Sequence, residues 1–398
     1  MKVLQLCNKP PFPPVDGGTL AMNSITQGLL SAGCEVKVLS VCSDKHPVLK
    51  ERMPEEYLKT TRFESVYVDL GIHPLDAAVA MLCGESYHVK RFVSREFASK
   101  LAQILRDEEF DVVHVESIFL SPYVPVIRKH SKAPIFLRAH NVENLIWRKV
   151  ALGERNLWKR WYMKHSALTL GVYEREHLND YDGVVSITDC DADELRKMGC
   201  RKPMVTIPFS ITPVALSQEE EDGTLFHLGS MDWLPNQEGI RWFLSKVWPI
   251  VHERMPRLTL YLAGRKMPAD LMKLDMEGVK IVGEVPDAMH FIGSKQINVV
   301  PLLSGSGIRV KIIEAMANAN PVISTTIGAE GISAENNSEI IIADSPELFC
   351  NKMFDLIQNV SAVNRIAKNA MEFITNNFIN EEIASELNNY IREKFNIK

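Results

Sequence analysis

Residues 301–331 read PLLSGSGIRVKIIEAMANANPVISTTIGAEG. A glycine-bearing turn opens onto a helix that carries two cations, Arg309 and Lys311, at its start. The helix macrodipole already makes that end positive, so each cation costs about 0.3–1 kcal/mol there until an anion docks on the free N–H groups. At helical spacing Gly307, Lys311 and Glu314 share one face, beside an apolar stripe of Ile308, Ile312 and Ala315. That polar face suits a nucleoside diphosphate, with phosphates on the amides and ammonium and the ribose diol on the carboxylate. The plainer alternative is a glycine N-cap with an ordinary Lys311–Glu314 surface pair. The strand-like PVISTT directly after the helix and the glycine turn at Gly328 and Gly331 favour the ligand site, because α/β folds bind phosphates at helix N-termini between parallel strands.

Working outward, VLQLC, CEVKVLSV, FDVVHVES, PIFLRAH, DGVVSIT and MVTIPF are short β-branched runs separated by helical patterns. They predict a parallel sheet wrapped by helices. After Pro213 the acidic stretch SQEEEDG reads as a linker. The alternation then restarts with TLFHLGSM, RLTLYLAG, VKIVGEV, INVVPL, PVIST and EIIIA, which predicts a second α/β domain. Length agrees, since 398 residues exceed one core and suit two domains of about 200 residues.

Two blocks, GSMDWLPNQEGIRWF and GSGIRVKIIEAMA after a VVPL strand, stand in order and at compatible spacing. On these the chain resembles the retaining glycosyltransferases of family 4, along nearly its whole length. The resemblance implies the GT-B fold, two Rossmann-like α/β domains facing across a deep cleft. It places an acceptor domain at 1–213, a donor domain at 214–379 and a return helix at 380–398 on the first domain. The family carries two glutamates with seven residues between them. Here the second is Glu314, which the resemblance assigns to the ribose, while the first falls on Ser306. The arginine and lysine that clamp the diphosphate in better-known members are absent from the Gly229 loop, where Asp232 and Asn236 stand. That work is therefore expected of Arg309, Lys311 and Arg265, with Gly229, Trp233, Gly305, Ser306 and Gly307 completing the donor site. The implied chemistry is transfer of a sugar from a nucleotide diphosphate sugar to an acceptor hydroxyl, with retention and with neither metal nor cofactor, in the assembly of a cell-surface polysaccharide or glycolipid. A noncatalytic nucleotide-sugar-binding partner and a sugar-nucleotide epimerase of the same fold are the alternatives.

In the first domain, prolines lead to Gly17 and Gly18 before an amphipathic helix; by resemblance this bare backbone approaches the transferred sugar, and otherwise it is a simple turn. His140, at the end of PIFLRAH, matches the family's active-site histidine, with Asn141 and Glu143 as its orienting or acceptor-contacting neighbours. A histidine there can donate to a sugar hydroxyl or a developing charge. Histidines after strands are also structural, and His114 sits in the similar DVVHVES.

Between Trp147 and His165 basic residues outnumber the single acid Glu154, with Trp158, Trp161 and Tyr162 interleaved. On a helix this reads either as buried core aromatics or as peripheral contact of 147–165 with an anionic membrane carrying a lipid-linked saccharide acceptor. The net charge of −5 argues against nucleic acid. Hydrophobic residues make up 46% and charged residues 24% of the chain, as in ordinary globular proteins. No apolar run reaches the roughly 18–20 residues of a membrane span, and MKVLQLCNKP has no signal-peptide core. A cytoplasmic enzyme working at the inner face of the membrane is expected. Seven cysteines without a C-x-x-C pair predict reduced, buried thiols and no metal cluster.

Overall fold

The strands are short runs of Val, Leu and Ile because parallel strands flanked by helices bury both faces. The computed structural model describes all residues except 155, 212–220, 306, 379–380 and 396–398, together with the backbone but not the side chains of 381–385. The chain divides into two compact units, Met1–Ser210 with Asn380–Lys398, and Ile211–Ile379. The turning points expected at 213–214 and 379–380 lie outside the described residues.

The first unit holds β1 (Lys2–Cys7), β2 (Glu35–Cys42), β3 (Glu64–Tyr67), β4 (Val112–Val115), β5 (Ile135–Ala139), β6 (Gly183–Ser186) and β7 (Met204–Thr206). They form one parallel sheet in the order β3-β2-β1-β4-β5-β6-β7, a Rossmann order in which the chain reverses direction beside β1. Alternation along β1 sends Leu4 and Leu6 into one core and Val3 into the other. The second core is closed by the Glu381–Phe395 helix, whose Leu387 and Ile391 are fully buried and whose Phe395 meets Phe136 edge-on at 4.8 Å. Such a ring pair adds about 0.5–1.5 kcal/mol beyond its buried area. The C-terminal segment therefore belongs to the first unit.

The second unit holds β8 (Glu221–Leu228), β9 (Thr259–Ala263), β10 (Val279–Gly283), β11 (Lys295–Val300), β12 (Val322–Ser324) and β13 (Ile341–Ile342), all parallel in the order β10-β9-β8-β11-β12-β13. Trp248, Phe243 and Phe349 pack together in its core.

Two expectations are corrected, and one strand went unread. The stretch SQEEEDG is not linker throughout, because Glu221, Asp222 and Gly223 already run in β8, where Glu221 pairs with Lys295 at 2.8 Å. Edge strand β3 carries no apolar run; its Glu64 instead binds Lys37 at 2.8 Å and Lys100. The thiols are not uniformly buried, since Cys83 and Cys190 are exposed.

Candidate functional site

In the second unit, the ends of β8, β9 and β11 meet around closely packed glycines. A Cβ on Gly264, at φ +149°, would stand 1.8 Å from the Gly229 carbonyl oxygen, and one on Gly229 would stand 2.4 Å from Lys311 Nζ. The helix expected from the sequence runs Val310–Ala317, with Arg309 as N-cap, and no side chain among the described residues caps it. Lys311 is in its first turn and Glu314 one turn on.

Lys311 turns inward over Gly229. Its ammonium donates to Asn236 Oδ1 at 2.7 Å, and Nζ lies 3.2 Å from His227 Nε2. His227 Nδ1 is 2.7 Å from the Val299 carbonyl oxygen. That oxygen accepts only from a protonated nitrogen, so Nε2 presents its lone pair to Lys311. Burial, reinforced by the Lys311 charge, holds His227 well below the usual histidine range and keeps it neutral. Burial and then Arg309 push Lys311 down to about 7, with Glu314 opposing. Burial likewise pushes Glu314 up to about 7 against the pull of Lys311. Cation and carboxylate are thus both poised near neutrality beside an uncapped helix end, where an anion would restore the ammonium.

Arg309 is buried rather than exposed. Its Nη1 donates to Gly307 O at 2.6 Å, and its guanidinium stands 5.1 Å from the Trp233 ring centre. Gly305 makes room for this packing, since at φ +115° a Cβ would come within 2.8 Å of Arg309 Nη2 and 3.0 Å of the Trp233 ring. Gly229, Trp233, Gly305, Gly307, Arg309 and Lys311 therefore form one neighbourhood. Arg265 sits at the Gly229 loop, its Nε donating to Ser230 Oγ at 3.0 Å. Ser306 lies outside the described residues. The Gly229 loop enters its helix at Leu234, with Pro235 favourable in its first turn.

In the first unit, Gly17 and Gly18 are helical rather than part of a preceding loop. They form the first turn of the Gly17–Ser31 helix, capped by Asp16, which accepts from Thr19 N and from Lys9 Nζ at 2.7 Å. His140 follows β5, and its Nε2 lies 2.8 Å from Oε2 of Glu116, a fully buried carboxylate after β4. Gln5 Nε2 donates to the other oxygen, Oε1, at 2.6 Å. Burial acts to raise the Glu116 pKa, yet His114, the His140 hydrogen bond and Arg138 outweigh it and hold the carboxyl below its usual range. His114 is fully buried, and burial pushes it down to about 4. A buried neutral imidazole inside the sheet fits a structural role.

Glu143 opens the Glu143–Gly153 helix, whose first amides are capped from the Leu157–His177 helix: Glu174 accepts from Glu143 N at 2.9 Å and Asn144 N at 3.0 Å. Burial and then the Glu174 charge push Glu143 up to about 8. Glu143 lines a cavity of about 470 Å³ in this unit, with Lys9, Arg91, Phe92, Phe119 and Trp147 among its walls.

The sequence reading missed His227, Glu116 and Glu174. His227 has a signal, a histidine two residues before the Gly229 turn, and Glu116 occupies the same place after β4 that His140 occupies after β5. Nothing local marks Glu174, whose partners are about thirty residues away.

Residues 16–209 match the family model described as a glycosyl transferase 4-like domain, and residues 222–359 match the one described as glycosyl transferases group 1. A Klebsiella pneumoniae protein described as an uncharacterized 44.6 kDa protein in cps region is 23% identical, over 97% of this chain and 98% of its own. Among solved structures, sucrose-phosphate synthase from Thermosynechococcus elongatus superposes with a TM-score of 0.73 at 14% identity, covering 99% of both chains. Anabaena HepE in complex with UDP gives 0.68 at 12%, covering 99% and 100%. The pneumococcal O-GlcNAc transferase GtfA in complex with UDP and GlcNAc gives 0.65 at 12%, covering 98% and 99%. With the two models following one another along most of its length, each on a Rossmann-like parallel sheet, the chain belongs to the group 1 glycosyltransferases of GT-B fold.

Proposed function

We propose that the second unit binds a nucleotide diphosphate sugar and that its sugar is transferred, with retention and without a metal, to a saccharide hydroxyl held by the first unit. The observation that carries this reading is the Lys311 ammonium, held among the described residues by two neutral acceptors, Asn236 and His227, in front of an uncapped helix. The diphosphate would take the first-turn amides and Lys311, and negative charge growing on it as the glycosidic bond breaks would strengthen both contacts. Glu314, one turn on, would accept from the ribose hydroxyls. Arg309 would act by holding Gly307 and Trp233 in place, and Trp233 offers a face to the base.

In the first unit His140, backed by Glu116, would steady the transferred sugar, with Gly17 and Gly18 as its bare-backbone neighbour. The cavity beside Glu143 and Trp147 suits the acceptor, its aromatic walls matching sugar faces and its protonated carboxyl able to donate to a hydroxyl. UDP in the Anabaena and pneumococcal structures makes uridine the first donor nucleotide to test. The cps-region relative supports a place in polysaccharide synthesis, with the chain working at the cytoplasmic face of a membrane that carries the acceptor and 147–165 leaning on that membrane. No described helix is long and apolar enough to cross a membrane.

The test is thermal stabilisation by UDP, GDP, dTDP and ADP and their common sugar conjugates, on wild type, Lys311→Ala and Glu314→Ala. A nucleotide at about a hundred times its Kd adds roughly 2.7 kcal/mol. One nucleotide stabilising wild type and neither variant is the expected result. Stabilisation undiminished by both substitutions would overturn the assignment.

A further inference from the structure

The helix Pro74–Cys83, which the sequence reading passed over, has an unusual surface. It turns Ala77 and Ala80 inward and leaves Leu75, Val79 and Leu82 outward, with Leu75 and Leu82 each 83% exposed and Asp76 its one charged residue. A solvent-facing helix ordinarily places charges there. Just before it Ile72 is also exposed, as is its last residue, Cys83.

The Tyr87–Lys90 helix touches both this helix and the Leu157–His177 helix, and Tyr162 of the latter packs against the cluster of Ala77, Ala80 and Tyr87. The outward stripe of the longer helix is Leu157, Trp161, Lys164, Leu168 and Val172, at spacings of four, three, four and four, all exposed. Trp158, 83% exposed, stands beside it. Two neighbouring helices thus leave apolar side chains in water, and a depression of about 420 Å³ adjoins them, lined by Val89, Val93 and Val172 together with Glu85, Lys90 and Glu176. Contiguous exposed apolar surface of this kind marks an interaction site.

The charges around it identify the occupant. Arg148, Lys159 and Lys164 are exposed at the aromatic end. Glu154 is the single acid between Trp147 and His165. The chain as a whole carries −5, so this cationic border runs against the average surface. Leu and Trp to enter an acyl boundary, with Lys and Arg to meet headgroups, is the arrangement of an interfacial helix on an anionic bilayer. We infer that Pro74–Cys83 and the first half of Leu157–His177 form one membrane-binding surface, the former supplying the apolar half and the latter the basic and aromatic half, for a bilayer rich in anionic lipid. This deepens the membrane contact proposed for 147–165 by adding its apolar partner, and it does not depend on nucleotide binding by the second unit.

The full chain is tested by flotation with phosphatidylcholine vesicles and with vesicles containing phosphatidylglycerol. Binding to the anionic vesicles alone is expected, and it should weaken as salt rises. Lys159→Ala and Lys164→Ala should each lower the vesicle partition coefficient about fivefold, since a cation near such a surface contributes about 1 kcal/mol. Leu75→Glu with Leu82→Glu should abolish binding while far-UV spectra and melting stay at wild-type values. The same variant should keep its UDP response, which separates this surface from the donor site. Vesicle binding unaffected by the paired leucine change overturns the inference. So does a wild-type dimer, seen by sedimentation, that the paired change converts to monomer, because the face would then be covered by a second copy.

Discussion

Lys311 Nζ stands 3.2 Å from the unprotonated Nε2 of His227, while Nδ1 of the same ring is spent on the Val299 carbonyl oxygen. The ammonium thus has a neutral acceptor where an ion pair would otherwise be expected, and burial pushes its pKa down to about 7. A docked diphosphate raises that pKa, so binding above pH 7 must take up a proton. UDP affinity is therefore expected to fall as pH rises from 7 to 9, approaching tenfold per unit once the free lysine is neutral. Lys311→Arg, charged throughout, should flatten this limb whatever its absolute affinity. Calorimetric titration at three pH values decides, and an alkaline limb equally steep in both proteins would sink the assignment.

Gly229→Ala separates binding from folding. The added Cβ would fall 2.4 Å from Lys311 Nζ and 2.9 Å from Asn236 Nδ2, both ends of side chains that can move away. UDP affinity should drop at least about tenfold, the scale of one displaced charge-assisted contact. Melting in the absence of nucleotide should change by only a few degrees. Gly264→Ala provides the contrast, because its Cβ meets backbone at 1.8 Å and the second unit should not fold. The outcome against this view is Gly229→Ala retaining wild-type affinity.

These two glycines also show what was legible in the sequence. The strands of both sheets, apart from β3, announced themselves as β-branched runs, and glycine before a cation-bearing helix marked the neighbourhood where Gly229, Trp233, Arg309 and Lys311 meet. Partners joined across the sheet were not legible: His227 and Lys311 are 84 residues apart, and Glu116 and His140 come from different strands. Their pairing depends on strand order, which local pattern does not carry. Arg309 was read as a phosphate contact from its place at a helix start; only the packing reveals its engagement with Gly307 and Trp233. The outward leucines of Pro74–Cys83 went unread because apolar residues at helical spacing look the same whether they face a core or water.

Glu116→Gln tests the first unit. The carboxylate now accepts from His140 at 2.8 Å and from Gln5 at 2.6 Å. A carboxamide can keep the Gln5 contact, but its NH2 then faces the imidazole, forcing the other tautomer and removing the charge behind it. Turnover of UDP-sugar, followed as donor hydrolysis or as transfer, should fall about tenfold or more, while UDP affinity, a property of the second unit, stays unchanged. A matched loss of affinity and turnover would indicate general unfolding instead, and unchanged turnover would remove Glu116 from the mechanism.

Glu143→Gln should stabilise the protein in alkali and not in acid. Burial and the Glu174 charge raise the Glu143 pKa to about 8, so the folded state holds its proton more tightly than the unfolded chain. The stability linked to that proton is fully present below the ordinary carboxyl range near 4.5 and is lost as pH rises through 8. Glutamine is neutral at every pH and mimics the protonated side chain, so the two proteins should melt together near pH 4 and part by pH 9. There the variant should gain on the order of a few kcal/mol, with about 2–4 °C in Tm for each. Lys311 and the shifted groups other than Glu174 are common to both proteins and cancel in the difference. A variant that melts lower than wild type at pH 9 would mean that ionised Glu143 has a stabilising partner, and Glu143 would then serve the fold as an anion instead of offering the cavity a proton.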